Sequence, residues 1–90
     1  MGDKLLERFR TLRPRQFDGA SKLRKAEQWL REMETIFETM ECNEHDKHRL
    51  ATFQLIYATA DWWESEKAKL GVEAIRRMPW TTFRERFLEK

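Results

Sequence analysis

The apolar residues of this chain recur at intervals of three and four over most of its length, a period that predicts helices. The clearest stripe is Ala26, Trp29, Leu30, Met33, Ile36, Phe37 and Met40, with Lys25, Gln28, Arg31, Glu32, Thr35 and Glu38 on the opposite face. It predicts a helix starting at a Ser21 cap and running to about residue 40 or 41. The densest stretch is LATFQLIYATADWW, residues 50–63. Leu50, Phe53, Ile56 and Tyr57 form one stripe there, and Ala51, Leu55 and Ala58 widen it, as in a central helix with neighbours on several sides. That helix starts after an Asn43 cap, with Glu44 and Asp46 in its positive first turn. It is expected to bend or restart near 58–60. The next helix covers about 59–70, with Gly71 as its terminator. Adjacent helical residues point about 100° apart, so one of Trp62 and Trp63 faces the core and the other a second neighbour or a partner.

The ends carry shorter stripes. Leu5, Leu6, Phe9 and Leu12 lie on one side of a helix from Lys4 to about residue 12, capped by Asp3. A helix this short is marginal alone, so its stripe packs on the domain or on another copy of the chain. Pro14 ends it. Residues 15–21 read as a connector with a turn at Asp18-Gly19, in which Phe17 is the anchor. Ile75 and Met78 suit a short helical turn. Pro79 suits the first turn of a last helix carrying Trp80, Phe83, Phe87 and Leu88. No segment alternates for long enough to be a strand.

The expected fold is therefore all-α: a compact bundle of four to five helices over residues 15–90, preceded by an amphipathic helix or arm at 1–14. Phe17, Trp29, Ile36, Phe37, Leu50, Phe53, Ile56, Trp62, Trp80, Phe83 and Phe87 are its expected core. The four tryptophans weigh heavily in so small a domain. Each buries about 150–250 Å², an upper bound of roughly 4–6 kcal/mol per ring.

Composition narrows the function. With 90 residues there is room for one domain, and 40% apolar residues supply a thin core. The single cysteine, Cys42, rules out an internal disulfide framework and suits a reducing, cytoplasmic setting. No apolar run is long enough to span a membrane, and Leu6 stands where a myristoylation motif needs Ser or Thr. The net charge of +2 hides a segregated pattern: +5 over residues 1–25, −7 over 26–66 and +4 over 67–90. Basic ends facing an acidic middle, within one molecule or between molecules, would satisfy it, and so would solvated helix faces.

Candidate chemistry is sparse. Cys42, His45 and His48 are spaced by three, but no fourth metal ligand accompanies them. Asp61, Glu64 and Glu66 beside two tryptophans lack the cleft that a pair of catalytic carboxylates needs. No nucleophile–base arrangement and no glycine-rich phosphate loop is present. The sequence therefore predicts no enzyme and no cofactor. Arg8, Arg10, Arg13 and Arg15 make a basic arm able to touch RNA phosphates, or merely to solvate a surface.

Taken in order, these residues resemble the retrotransposon gag family, in particular gags of gypsy-type long-terminal-repeat elements. The resembling features are the aromatic-x-Gly turn Phe17-Asp18-Gly19, then Trp29-Leu30 with Phe37, the charged helix start 44–49, the series Ile56, Ala58, Ala60, Trp62-Trp63, and finally Trp80, Phe83 and Phe87. They cover about residues 15–90. Ala58 replaces the family's usual Gly, Pro79 replaces a capping Thr, and the helix at 3–12 lies outside the pattern. The resemblance implies a lobe like the N-terminal lobe of retroviral capsid. Such a lobe is a structural domain that self-associates into virus-like particles beside other gag regions. On that reading Leu5, Leu6, Phe9, Leu12 and Trp63 are the self-association residues. The alternative is a domesticated module that holds peptides in an apolar groove at Tyr57 and Trp63.

Overall fold

The structure is a computed structural model that describes residues 3–19 and 22–89. Among the described residues six helices follow in order: α1 (Lys4–Thr11), α2 (Leu23–Met40), α3 (Glu44–Thr52), α4 (Tyr57–Leu70), α5 (Val72–Arg77) and α6 (Trp80–Glu89). Among the described residues there is no strand beyond one isolated parallel bridge between Phe17 and Leu55. The all-α class holds. Met1, Gly2, the expected Ser21 cap and Lys90 lie outside the described residues.

Identifiable contacts set several helix boundaries. The Asp3 carboxylate accepts the Leu6 N–H at 3.1 Å to open α1. The Asn43 side chain accepts the Asp46 N–H at 2.9 Å to open α3. Gly71, at φ +86°, stops α4. The start of α6 is capped from another helix, for the Trp80 N–H donates to Glu44 Oε2 at 3.1 Å.

The central helix expected through residues 50–58 is two helices. α3 ends at Thr52, a turn covers 53–56, and α4 opens at Tyr57 rather than near 59. The cause is tertiary. The Phe17 N–H donates to the Gln54 carbonyl at 2.8 Å, and the Ile56 N–H donates to the Phe17 carbonyl at 3.0 Å. Those bonds replace the helical ladder at the break. The expected stripe is split in consequence. Leu50 is buried, Ile56 is half-buried, and Phe53 and Tyr57 are exposed.

Phe53 thus leaves the expected core, turned out by the break. The two indoles are also sorted: Trp63 is buried and Trp62 half-buried against the core. Phe17, Trp29, Phe37, Trp80, Phe83 and Phe87 are buried as expected, while Ile36 is half-buried. Phe17, Trp29 and Phe87 meet with ring centroids 5.2–5.6 Å apart, and Trp80, Phe83 and Phe37 continue the cluster.

The N-terminal stripe packs on its own domain. Phe9 is completely buried and stacks on Phe37 at 6.1 Å, and Leu5 and Leu6 lie half-buried against the core. Arg49 Nη1 of α3 donates to Asp3 Oδ2 at 2.7 Å and fastens the start of α1. Residues 3–12 are therefore part of the bundle rather than a free arm.

The aromatic-x-Gly turn has a mechanical role. Phe17 fills the core and bridges to Leu55, and two residues later Gly19 passes under α4 at φ +92°. A Cβ there would lie 2.6 Å from Thr59 Oγ1, so both the backbone angle and the space demand glycine.

Candidate functional site

The main apolar concavity lies between α3, α4 and α5. His45, His48, Arg49 and Thr52 fall at i, i+3, i+4 and i+7, which puts them on one face of α3. Trp63 and Lys67 face them from α4, and Val72, Ile75 and Arg76 from α5. The cavity holds about 400 Å³. Among the described residues no carboxylate lines it, whereas Arg49, Lys67 and Arg76 do. Each of these cations has an acid of its own outside the cavity: Asp3 and Asp46, Glu64, and Glu73 respectively.

α5 forms one wall with no buried residue of its own. It is held by half-buried Ile75 and by a 2.8 Å hydrogen bond between His45 Nδ1 and the Arg76 carbonyl. A carbonyl can only accept, so the proton sits on Nδ1 of His45. His48 lies deeper, 4% exposed, with its Nδ1 unpartnered and its ring 6.4 Å from that of Trp63. Burial pushes the His48 pKa below its ordinary 6.5, and neighbouring His45 lowers it further.

A second cavity, about 490 Å³, is lined by Arg15, Gln16, Phe17, Asp18, Lys25, Gln28, Trp29, Glu32 and Ile56 and is mostly polar. The Trp29 indole N–H donates to the Arg15 carbonyl across its floor at 2.7 Å.

The two residues expected to share a groove are separated. Trp63 lines the α3–α4–α5 cavity, whereas Tyr57 stands outside it, 76% exposed. Of the residues expected to meet other copies, Phe9 and Trp63 are buried, Leu5 and Leu6 half-buried, and Leu12 exposed. The histidine spacing does place His45 and His48 on one face, with ring centroids 6.1 Å apart. Among the described residues, however, no three His, Cys, Asp or Glu side chains are grouped to hold a metal. Cys42 is a half-buried free thiol whose pKa is raised by burial and by Asp46.

The acidic residues of α4 divide. Asp61 and Glu64 are exposed, and Glu66 is buried, accepting from both Nε and Nη2 of Arg86 at 2.8 Å. That bond ties α4 to α6. Glu34 likewise accepts the Trp80 indole N–H at 2.8 Å and lies 3.3 Å from Arg84 Nε. With Arg15–Glu32 at 3.5 Å, these pairs join the basic ends to the acidic middle inside one molecule. Sequence spacing gave no sign of them, since the partners lie far apart along the chain.

An all-α bundle closed on an aromatic core is consistent with a capsid-type lobe. Residues 11–90 match the family model described as retrotransposon-derived protein PEG10, N-terminal capsid-like domain, and the chain belongs to that family. No curated protein and no solved structure matches the chain. The family gives it a gag-type structural role.

Proposed function

We propose that this chain is a capsid building block that associates with copies of itself, in the cytoplasm and beside other gag segments, to build a particle shell. Membership of the capsid-like family carries the reading. The packing is compatible with it: most aromatic residues are spent on the core, and Leu12, Leu23, Phe53, Tyr57 and Val72 are left on the surface. No helix among the described residues is long and apolar enough to cross a membrane. The basic residues Arg8, Arg10 and Arg13 stay exposed and would serve a subsidiary contact with RNA phosphates.

The second reading is an adopted module that holds a peptide, favoured by the apolar groove beside Trp63. Electron microscopy of the concentrated chain tests the first reading. Ordered sheets, tubes or shells are expected. Dispersed single molecules at every concentration, together with saturable binding of a peptide, would favour the second.

A further inference from the structure

The fold leaves a knob and a hole on its surface. The knob is Tyr57, which opens α4 at φ +52°, a left-handed angle that bulky side chains rarely adopt. Its neighbours hold it there. The backbone just before it is bonded to Phe17, and Thr59, two residues on, is buried over Gly19. Strain of this kind persists where the surrounding structure enforces it, and it collects at working surfaces. The ring that results is 76% exposed. Phe53, on the other side of the same turn, is exposed as well. Asp61 follows Tyr57 one helical turn later, on the same face, and makes no ion pair among the described residues.

The hole is the cavity between α3, α4 and α5. Its volume, about 400 Å³, is at the low end for ligand sites and suits one large side chain and its neighbours better than a whole helix. Trp63, Val72 and Ile75 supply apolar walls, and Lys67 and Arg76 supply positive charge. The acids that pair with Lys67 and Arg76 are exposed, and such surface pairs exchange readily.

We infer that the Tyr57 ring of one copy enters the α3–α4–α5 cavity of a second copy, with Asp61 of the first facing Lys67 and Arg76 of the second. The occupant is a second copy because the chain itself carries the complementary piece, an exposed ring with an exposed acid beside it that pairs with none of the described residues. Tyrosine is also among the residues that concentrate binding energy at interfaces. This inference rests on the self-association reading and adds the contact through which it occurs.

Sedimentation velocity of the whole chain over a concentration series tests it, using two variants. Tyr57→Asn removes the ring and keeps a residue tolerant of the left-handed angle. Val72→Asp puts an acid at the mouth of the hole, at a position 74% exposed, so the fold is unaffected. Each variant should raise the self-dissociation constant by about tenfold or more. An equimolar mixture of the two should associate more tightly than either alone, because each retains the surface the other lacks. Melting curves within a few degrees of the parent chain would show that both remain folded. If Tyr57→Asn associates like the parent, or if the mixture regains nothing, the knob-and-hole contact is wrong while self-association stands. If the parent chain stays a monomer throughout, both fail.

Discussion

Truncating Phe9 to alanine tests whether the N-terminal helix belongs to the bundle. The ring is fully buried and stacks on Phe37. Burying a phenylalanine removes on the order of 150–250 Å² from water, worth up to about 4–6 kcal/mol. Phe→Ala substitutions in cores cost about 3–5 kcal/mol once the remaining cavity is counted. For a domain of this size, that lowers the melting temperature by roughly 15–30 °C. The matched control is Phe53→Ala. Its ring is 47% exposed, so it should cost under about 1 kcal/mol. Urea unfolding followed by tryptophan fluorescence, with melting curves by circular dichroism, measures both. If Phe9→Ala costs less than about 1 kcal/mol, α1 does not pack as described. If Phe53→Ala costs as much as Phe9→Ala, the break between α3 and α4 is wrong.

Three further outcomes follow from the same geometry. Arg86→Met leaves the buried Glu66 carboxylate with only the exposed Lys69 ammonium, 3.6 Å away, and should cost about 1–2 kcal/mol; changing Glu66 to Gln as well should recover part of the loss. Gly19→Ala meets Thr59 Oγ1 at 2.6 Å on top of its backbone angle and should cost at least about 3 kcal/mol, whereas Gly71→Ala, with open space around it, pays only for a backbone at φ +86°, ψ 162° that is nearly confined to glycine, about 1–3 kcal/mol; denaturant midpoints compare them. Burial depresses the folded-state pKa of His48, so below pH 6.5 the unfolded chain takes up that proton more readily; the stabilisation is present above 6.5 and fades as pH falls below it. Urea midpoints at pH 7.5 and 5.5 should differ in that direction, and the difference should shrink in a His48→Phe chain. At lower pH, Asp3, whose pKa is depressed by its hydrogen bond to Arg49, adds a further loss as it protonates.

The sequence made some of this fold readable and hid the rest for identifiable reasons. Helix starts set by a single side chain were visible, because Asp3 and Asn43 act on their own neighbours. So was the long stripe of α2, whose period needs no tertiary knowledge. The break at 53–56 was not. Leu50, Phe53, Ile56 and Tyr57 keep helical spacing, and no Gly or Pro interrupts them. The interruption comes from Phe17, more than thirty residues earlier, whose backbone takes over the hydrogen bonds of Gln54 and Ile56. The roles of Trp62 and Trp63 were interchangeable until that break fixed the rotation of α4. The groove was hidden for a related reason. Its walls come from three helices, and the histidines that line it looked more like a weak metal motif than part of a cavity.

The weight-average mass of the whole chain, measured by light scattering from micromolar to millimolar concentration, tests the structural role most directly. The mass should start near 11.0 kDa and climb with concentration as copies meet through weak contacts. A mass fixed at 11.0 kDa across the whole range would contradict it.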